Sequence, residues 1–229
     1  FSITSVCAGS QLQAMNHSII DNGSLNYIWD MGDSTQYSNE HANHVYDQGG
    51  SFMVKLVARS EHACKDSTYY MLPIHEKPQA DFSYTNPCED KAVYFQNKTT
   101  MDRDSIVSIE WVFDNTSPLI SENTHHTFNQ SGFHDVKLII TSQNGCADTS
   151  LQVVQVNALP KADITAYPSN KVCFGDSVEL GAFNGYNKYY WSTGDTTSRV
   201  VIKESGVYDV LITSLNNCQS QGEIRVDIL

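Results

Sequence analysis

The sequence predicts an all-β chain built as three β-sandwiches in series. Three observations carry that expectation: an internal repeat that aligns without a gap, short runs in which apolar and polar residues alternate, and a Cys…Trp…Cys order that recurs three times. Helical spacing of apolar residues is hard to find. Gly, Asn, Asp and Ser interrupt the alternating runs at short intervals, the pattern of half-buried strands joined by turns.

The repeat comes first because it fixes the units. Residues 44 to 68, HVYDQGGSFMVKLVARSEHACKDST, align over residues 126 to 150, HTFNQSGFHDVKLIITSQNGCADTS, at a constant offset of 82. A shorter copy, VIKESGVYDVLITSLNNCQS, begins at Val201. From early cysteine to tryptophan (Cys7 to Trp29, Cys88 to Trp111, Cys173 to Trp191) the spacings are 22, 23 and 18 residues. From tryptophan to late cysteine (Cys64, Cys146, Cys218) they are 35, 35 and 27, so the third unit is a trimmed variant. Between copies lie IHEKPQADF and NALPKADI, each with a proline, which suits a short stiff connection rather than a flexible tether. The expected units are residues 1–76, 77–158 and 159–229.

Within each unit the strands follow in order. After the early cysteine come Leu12 to Asn16, Lys91 to Asn97 and Val178 to Ala182; strands carrying the tryptophan follow at Asn26 to Asp30, Ser108 to Phe113 and Lys188 to Ser192. A long strand then starts at Gly50, Gly132 or Gly206, each read as a turn residue free to take positive φ. Its inward side chains are Phe52, Val54 and Leu56; Val136, Leu138 and Ile140; and Tyr208, Val210 and Ile212. About seven strands per unit result, a sandwich count.

The six cysteines divide into one early and one late member per unit, and pairing within each unit is the simplest scheme: Cys7–Cys64, Cys88–Cys146 and Cys173–Cys218. Loops of about 58 residues closed in this way would stabilise small cores by roughly 4 kcal/mol per bridge on the chain-entropy model. Free thiols or a metal site are the alternatives, and the sequence has no Cys-x-x-Cys. Disulfides point to an extracellular or cell-surface location. A tryptophan on a middle strand between two cysteines is how an immunoglobulin-like sandwich fills its centre, so Trp29, Trp111 and Trp191 are expected in three cores.

The first unit carries Tyr27-Ile28-Trp29-Asp30-Met31-Gly32-Asp33-Ser34-Thr35, then His44-Val45-Tyr46, then Gly50-Ser51-Phe52-Met53-Val54-Lys55-Leu56. This resembles the polycystic kidney disease (PKD) domain, with its W-D-F-G-D-G-T turn, H-x-Y and G-x-Y-x-V-x-L strand. The second unit keeps Trp111, Phe113, Asp114, His126, Phe128, Gly132, Val136 and Leu138 but replaces the Gly-Asp turn with Asn115-Thr116-Ser117-Pro118. The third resembles Ig-like modules that accompany PKD domains. The endings Asn144-Gly145-Cys146-Ala147-Asp148 and Asn216-Asn217-Cys218 resemble PKD arrays of giant Bacteroidota surface proteins, which implies a gliding-motility-associated or type IX-secreted adhesin context.

Composition limits the function classes. A net charge of −12 and a pI near 4.9 argue against nucleic-acid binding and against a polybasic membrane anchor. No apolar run is long enough for a membrane span. The opening FSITSVC has neither an initiator Met nor a leader-like segment, which reads as an interior piece of something longer. Hydrolase, zincin, P-loop and dinucleotide motifs are absent, so no catalytic or cofactor-binding residue is assigned. His41 with His44 and His125 with His126 invite a metal reading, but His44 and His126 share one repeat position, which favours a structural role. The Asp30 and Asp33 carboxylates leave calcium open as an alternative to a simple turn.

The expected function is therefore a non-catalytic spacer or adhesive stalk, a monomeric rod reaching an extracellular protein or polysaccharide surface through its parent protein. The alternative is an accessory carbohydrate- or protein-binding module of a secreted hydrolase, which calls for exposed aromatics; Tyr69, Tyr70, Tyr189 and Tyr190 are the candidates.

Overall fold

A computed structural model describes residues 1–229 and contains strands but no helix. In the first unit, β1 (Gln11–Ala14) pairs with β4 (Ala42–Val45), while β2 (Leu25–Asp30), β3 (Gln36–Tyr37), β5 (Gly50–Ser60) and β6 (Lys65–Ile74) form a sheet ordered β3-β2-β5-β6. The second unit opposes a sheet of β7 (Phe82–Tyr84), β8 (Ala92–Asn97) and β11 (Thr124–Thr127) to one of β9 (Ile106–Phe113), β10 (Leu119–Ile120), β12 (Gly132–Ser142) and β13 (Ala147–Val156). The third does the same with β14 (Ile164–Tyr167), β16 (Val178–Ala182) and β18 (Arg199–Ile202) against β15 (Lys171–Val172), β17 (Lys188–Trp191), β19 (Gly206–Thr213) and β20 (Gln219–Ile228). The chain is all-β with immunoglobulin-like sandwiches.

Alternation places the cores. In β12, Val136, Leu138 and Ile140 are fully buried while Phe133 is exposed, because successive residues face opposite sides of the sheet. Three separate hydrophobic clusters result, centred on Trp29, Trp111 and Trp191. Each indole is completely enclosed, and its N–H still finds a carbonyl: that of Asn39 at 3.2 Å, Ser121 at 3.1 Å and Thr197 at 2.8 Å. Phe1 and Phe82 meet Trp29 and Trp111 edge-on, both at 5.2 Å.

Two local expectations change. The first unit has six strands, its opening segment contributing only isolated bridges, Ser2 with Met15 and Cys7 with His75. Of the three strand-initiating glycines only Gly132 has positive φ. Gly50 and Gly206 have no positive φ, and a Cβ at either would make an ordinary van der Waals contact, 3.4 Å from the ring of Phe52 or Tyr208 two residues on.

Candidate functional site

The distinctive chemistry of the chain lies where one unit meets the next. In each unit the early cysteine lies beside the end of that unit's last strand, in parallel. Ala8 N–H donates to the His75 carbonyl at 2.8 Å and His75 N–H to Val6 at 3.0 Å. Glu89 N–H donates to Asn157 at 2.9 Å and Asn157 N–H to Pro87 at 2.8 Å; Phe174 and Leu229 N–H groups bond Leu229 and Val172 likewise. The late cysteine sits in the hairpin that joins the two long strands. Ser60, Ser142 and Ser214 N–H groups donate to the carbonyls of Cys64, Cys146 and Cys218 at 2.9, 2.8 and 2.9 Å. Ala63, Gly145 and Asn217, just before each cysteine, take left-handed φ of 63, 78 and 60°.

This arrangement corrects the expected pairing. Cys64 precedes β6 and Cys7 pairs laterally with the residue that follows it, so the two stand a strand of 10 residues apart, ~33 Å at the usual rise. No disulfide spans that distance. The bridges instead join units: Cys7–Cys146 and Cys88–Cys218, each with a Cα–Cα distance of 5.7 Å. Cys64 and Cys173, expected in bridges, are free and exposed. The early cysteine at the exit of one sandwich meets the late cysteine at the entrance of the next.

Polar contacts accompany both bridges. At the first junction the linker pairs with Thr100 through Gln79, N–H to carbonyl in both directions at 2.9 and 3.1 Å, and Ala80 N–H donates to Asp148 Oδ2 at 2.8 Å. At the second, Asn86 Nδ2 donates to the Asn216 carbonyl at 2.8 Å and Asn216 Nδ2 to Asn157 Oδ1 at 2.6 Å. The sulfurs are dry on one side, since Cys146 and Cys218 are wholly buried.

The other candidate, the Trp29-Asp30 turn, is a closed hydrogen-bonded unit. Asp30 Oδ1 accepts from Gly32 N–H at 2.9 Å, Asp33 Oδ1 from Thr35 N–H at 3.0 Å, and Asp33 Oδ2 pairs with His44 Nε2 at 2.7 Å. Tyr37 Oη contacts His44 Nδ1 at 3.0 Å, and Tyr46 O–H donates to the Met31 carbonyl at 2.6 Å. Burial works to raise the Asp33 carboxyl, but the Thr35 N–H and the His44 ring outweigh it and hold the group below its ordinary range. Burial pushes the Tyr46 phenol up. Both His44 nitrogens and both Asp33 oxygens are thus engaged in shaping the hairpin. Gly32 is required there: its φ is 80°, and a Cβ would lie 2.8 Å from Met53 N and O. In the second unit Asp114 and Asn115 take left-handed φ of 46 and 60°, and the imidazole–carboxylate pair is rebuilt as His134 Nδ1 to Asp114 Oδ2 at 2.6 Å. His126 stacks on Phe113 at 4.2 Å, and burial lowers its pKa. His41 Nδ1 accepts from Asn16 N–H at 3.1 Å, and the His125 ring lies 5.8 Å from that of Tyr94.

The tyrosines do not gather into one row. Tyr69 and Tyr70 are exposed on β6, Tyr190 is exposed in the third unit, and Tyr189 spends its hydroxyl on the Phe183 carbonyl at 3.0 Å.

A family model described as PKD domain matches residues 2–71 and again residues 75–156. The chain belongs to the PKD domain family. PKD domains are non-catalytic modules that occur in extracellular or surface proteins. Among solved structures, the PKD1 domain of Vibrio anguillarum Epp is 22% identical, covering 36% of this chain and 95% of its own, at a TM-score of 0.33. The PKD1 domain of Vibrio cholerae metalloprotease PrtV is 27% identical over 35% of this chain and 98% of its own, also at 0.33. The three N-terminal domains of the bacteriophage RB49 capsid protein Hoc are 10% identical over 100% of both chains, at 0.38. No helix of this PKD chain is long and apolar enough to cross a membrane.

Proposed function

We propose that the chain is a spacer in an extracellular or cell-surface protein, a series of sandwiches at residues 1–76, 77–158 and 159–229 whose joints are locked by disulfides so that the array holds a distal element away from its anchor. The observation that carries this reading is the pairing of Cys7 with Cys146 and Cys88 with Cys218. A covalent tie between adjacent modules adds little to the fold inside each one. Its effect falls on the angle and extension between them, and an array benefits from that when it must transmit position or force. The Bacteroidota adhesin setting, with gliding or type IX secretion, fits such a stalk and is part of the proposal. Small-angle scattering before and after reduction tests it: a fixed maximum dimension that broadens once the bridges open supports a stalk, and an unchanged profile refutes it.

A second reading, an accessory binding module, has one specific observation in its favour. On the outer face of the first unit's larger sheet, Met53 lies opposite Met71, with Tyr69 and Ile28 on the same side, all exposed. Retention of the chain on a polysaccharide or protein polymer, lost on replacing Tyr69, would select this reading.

A further inference from the structure

The cysteine ladder has an unmatched rung at each end. Cys64 occupies the same hairpin position as Cys146 and Cys218, and Cys173 the same strand-exit position as Cys7 and Cys88. Both repeats of the joint are bonded wherever two units meet, and the remaining two positions are free thiols. A second, independent observation sits beside Cys64. In the second and third units the linker residues Ala80 and Ala162 pack against the core at the entrance end. At the entrance of the first unit a cleft of about 440 Å³ is lined by Ile19, Ile20, Leu25, Ala58, Cys64 and Asp66. Ile19 is 93% exposed there. Asp66 stands two residues after its cysteine, as Asp148 does, and Asp148 is the group that receives the linker N–H.

We infer that the Cys64 face and the Cys173 face are complementary halves of the inter-unit joint, and that each takes a further sandwich of this same repeat as its partner: an early cysteine with its linker at Cys64, a late-cysteine hairpin at Cys173. The inference rests on reading the chain as part of a serial array, and extends it from internal joints to external ones. Bond formation needs a disulfide oxidant such as glutathione disulfide. The Cys64 thiolate attacks one sulfur and releases a glutathione thiolate; the partner's cysteine thiolate then attacks the Cys64 sulfur of the mixed disulfide and releases the second. Two protein thiols are oxidised and one glutathione disulfide is reduced to two thiols.

In the isolated chain the partner is a second copy, so head-to-tail Cys64–Cys173 linkage is expected. Incubating the full chain in a mixture of oxidised and reduced glutathione, followed by non-reducing peptide mapping, reads it directly. Complementary faces raise the effective concentration of the correct pair, so Cys64–Cys173 links between copies should exceed each like-with-like link by about fivefold or more. A roughly twofold ratio, the random value for two equally reactive thiols, would overturn the inference, as would like-with-like excess or absence of linkage. Asp66→Lys leaves both thiols in place and changes the side chain that stands beside Cys64 on the docking face. The preference should fall to the random value, and its persistence would refute the docking face. A chain that bends freely in scattering would defeat the stalk reading while leaving this ratio untouched.

Discussion

Cys146 is bonded to Cys7 across a joint, while the Cys146 hairpin and the Cys7 exit segment each belong to a different sandwich. With Cys88–Cys218 this makes two covalent nodes, and three stretches of backbone run between them in parallel: Cys7 to Cys88, Cys88 to Cys146, and Cys146 to Cys218. Mechanical consequences follow from that connectivity alone.

Pulled from its ends with bridges intact, the unfolded chain is limited by the shortest stretch, Cys88 to Cys146. That route plus the two tails is on the order of 75 residues, or about 260 Å at ~3.4 Å each, against about 780 Å for the reduced chain. Single-molecule extension with and without reductant measures both lengths. Equal lengths would show that the bridges do not carry load.

Replacing Cys7 and Cys146 together by serine should free the first joint and leave the three cores folded. Each core has its own buried tryptophan, so tryptophan fluorescence should stay native while scattering reports a wider spread of inter-unit angles. The loss of loop closure sets a ceiling of about 5 kcal/mol on the destabilisation. A collapse of all three tryptophan signals would mean that the bridge supports the fold itself.

Gly32→Ala should destabilise the first unit by roughly 1–3 kcal/mol or more, since the turn demands φ of 80° and the methyl would press on the backbone of Met53. Chemical denaturation followed by near-ultraviolet circular dichroism checks it. Gly194→Ala has the same left-handed φ with open space around the Cβ, so it should cost less.

The first unit should weaken in acid. The Asp33 carboxyl is depressed in the folded state, so its contribution is present above the unfolded carboxylate pKa and is lost as pH falls through the lower folded value. The melting temperature of the first unit should therefore drop between about pH 5 and pH 2, and Asp33→Asn should flatten that limb. An unchanged slope in the variant would remove Asp33 as the source.

Much of this architecture was legible because alternation and repetition are local signals. Val54 and Leu56, Val136 and Leu138, and Val210 and Ile212 are buried where period-two reading puts them. The partner of each cysteine was not legible by analogy with a mid-sheet bridge, because that analogy sets both cysteines at mid-strand. The signal was nonetheless present: Asn144-Gly145-Cys146 and Asn216-Asn217-Cys218 are turn sequences, and a cysteine in a hairpin turn lies at a sheet's end, a strand's length from the early cysteine of its own unit. Gly50 and Gly206 were misread as positive-φ positions because a glycine that opens a strand looks the same in sequence whatever φ it takes.

Because three backbone segments connect the same two nodes, a protease that cuts once anywhere between Cys7 and Cys218 does not part the ends of the molecule, nor does a second cut in another segment. Severance takes a nick in each of the three, or the loss of one bridge with a nick in one particular stretch: Cys7 to Cys88 when Cys7–Cys146 opens, Cys146 to Cys218 when Cys88–Cys218 opens. A surface filament built this way would tolerate digestion that breaks a simple string of beads.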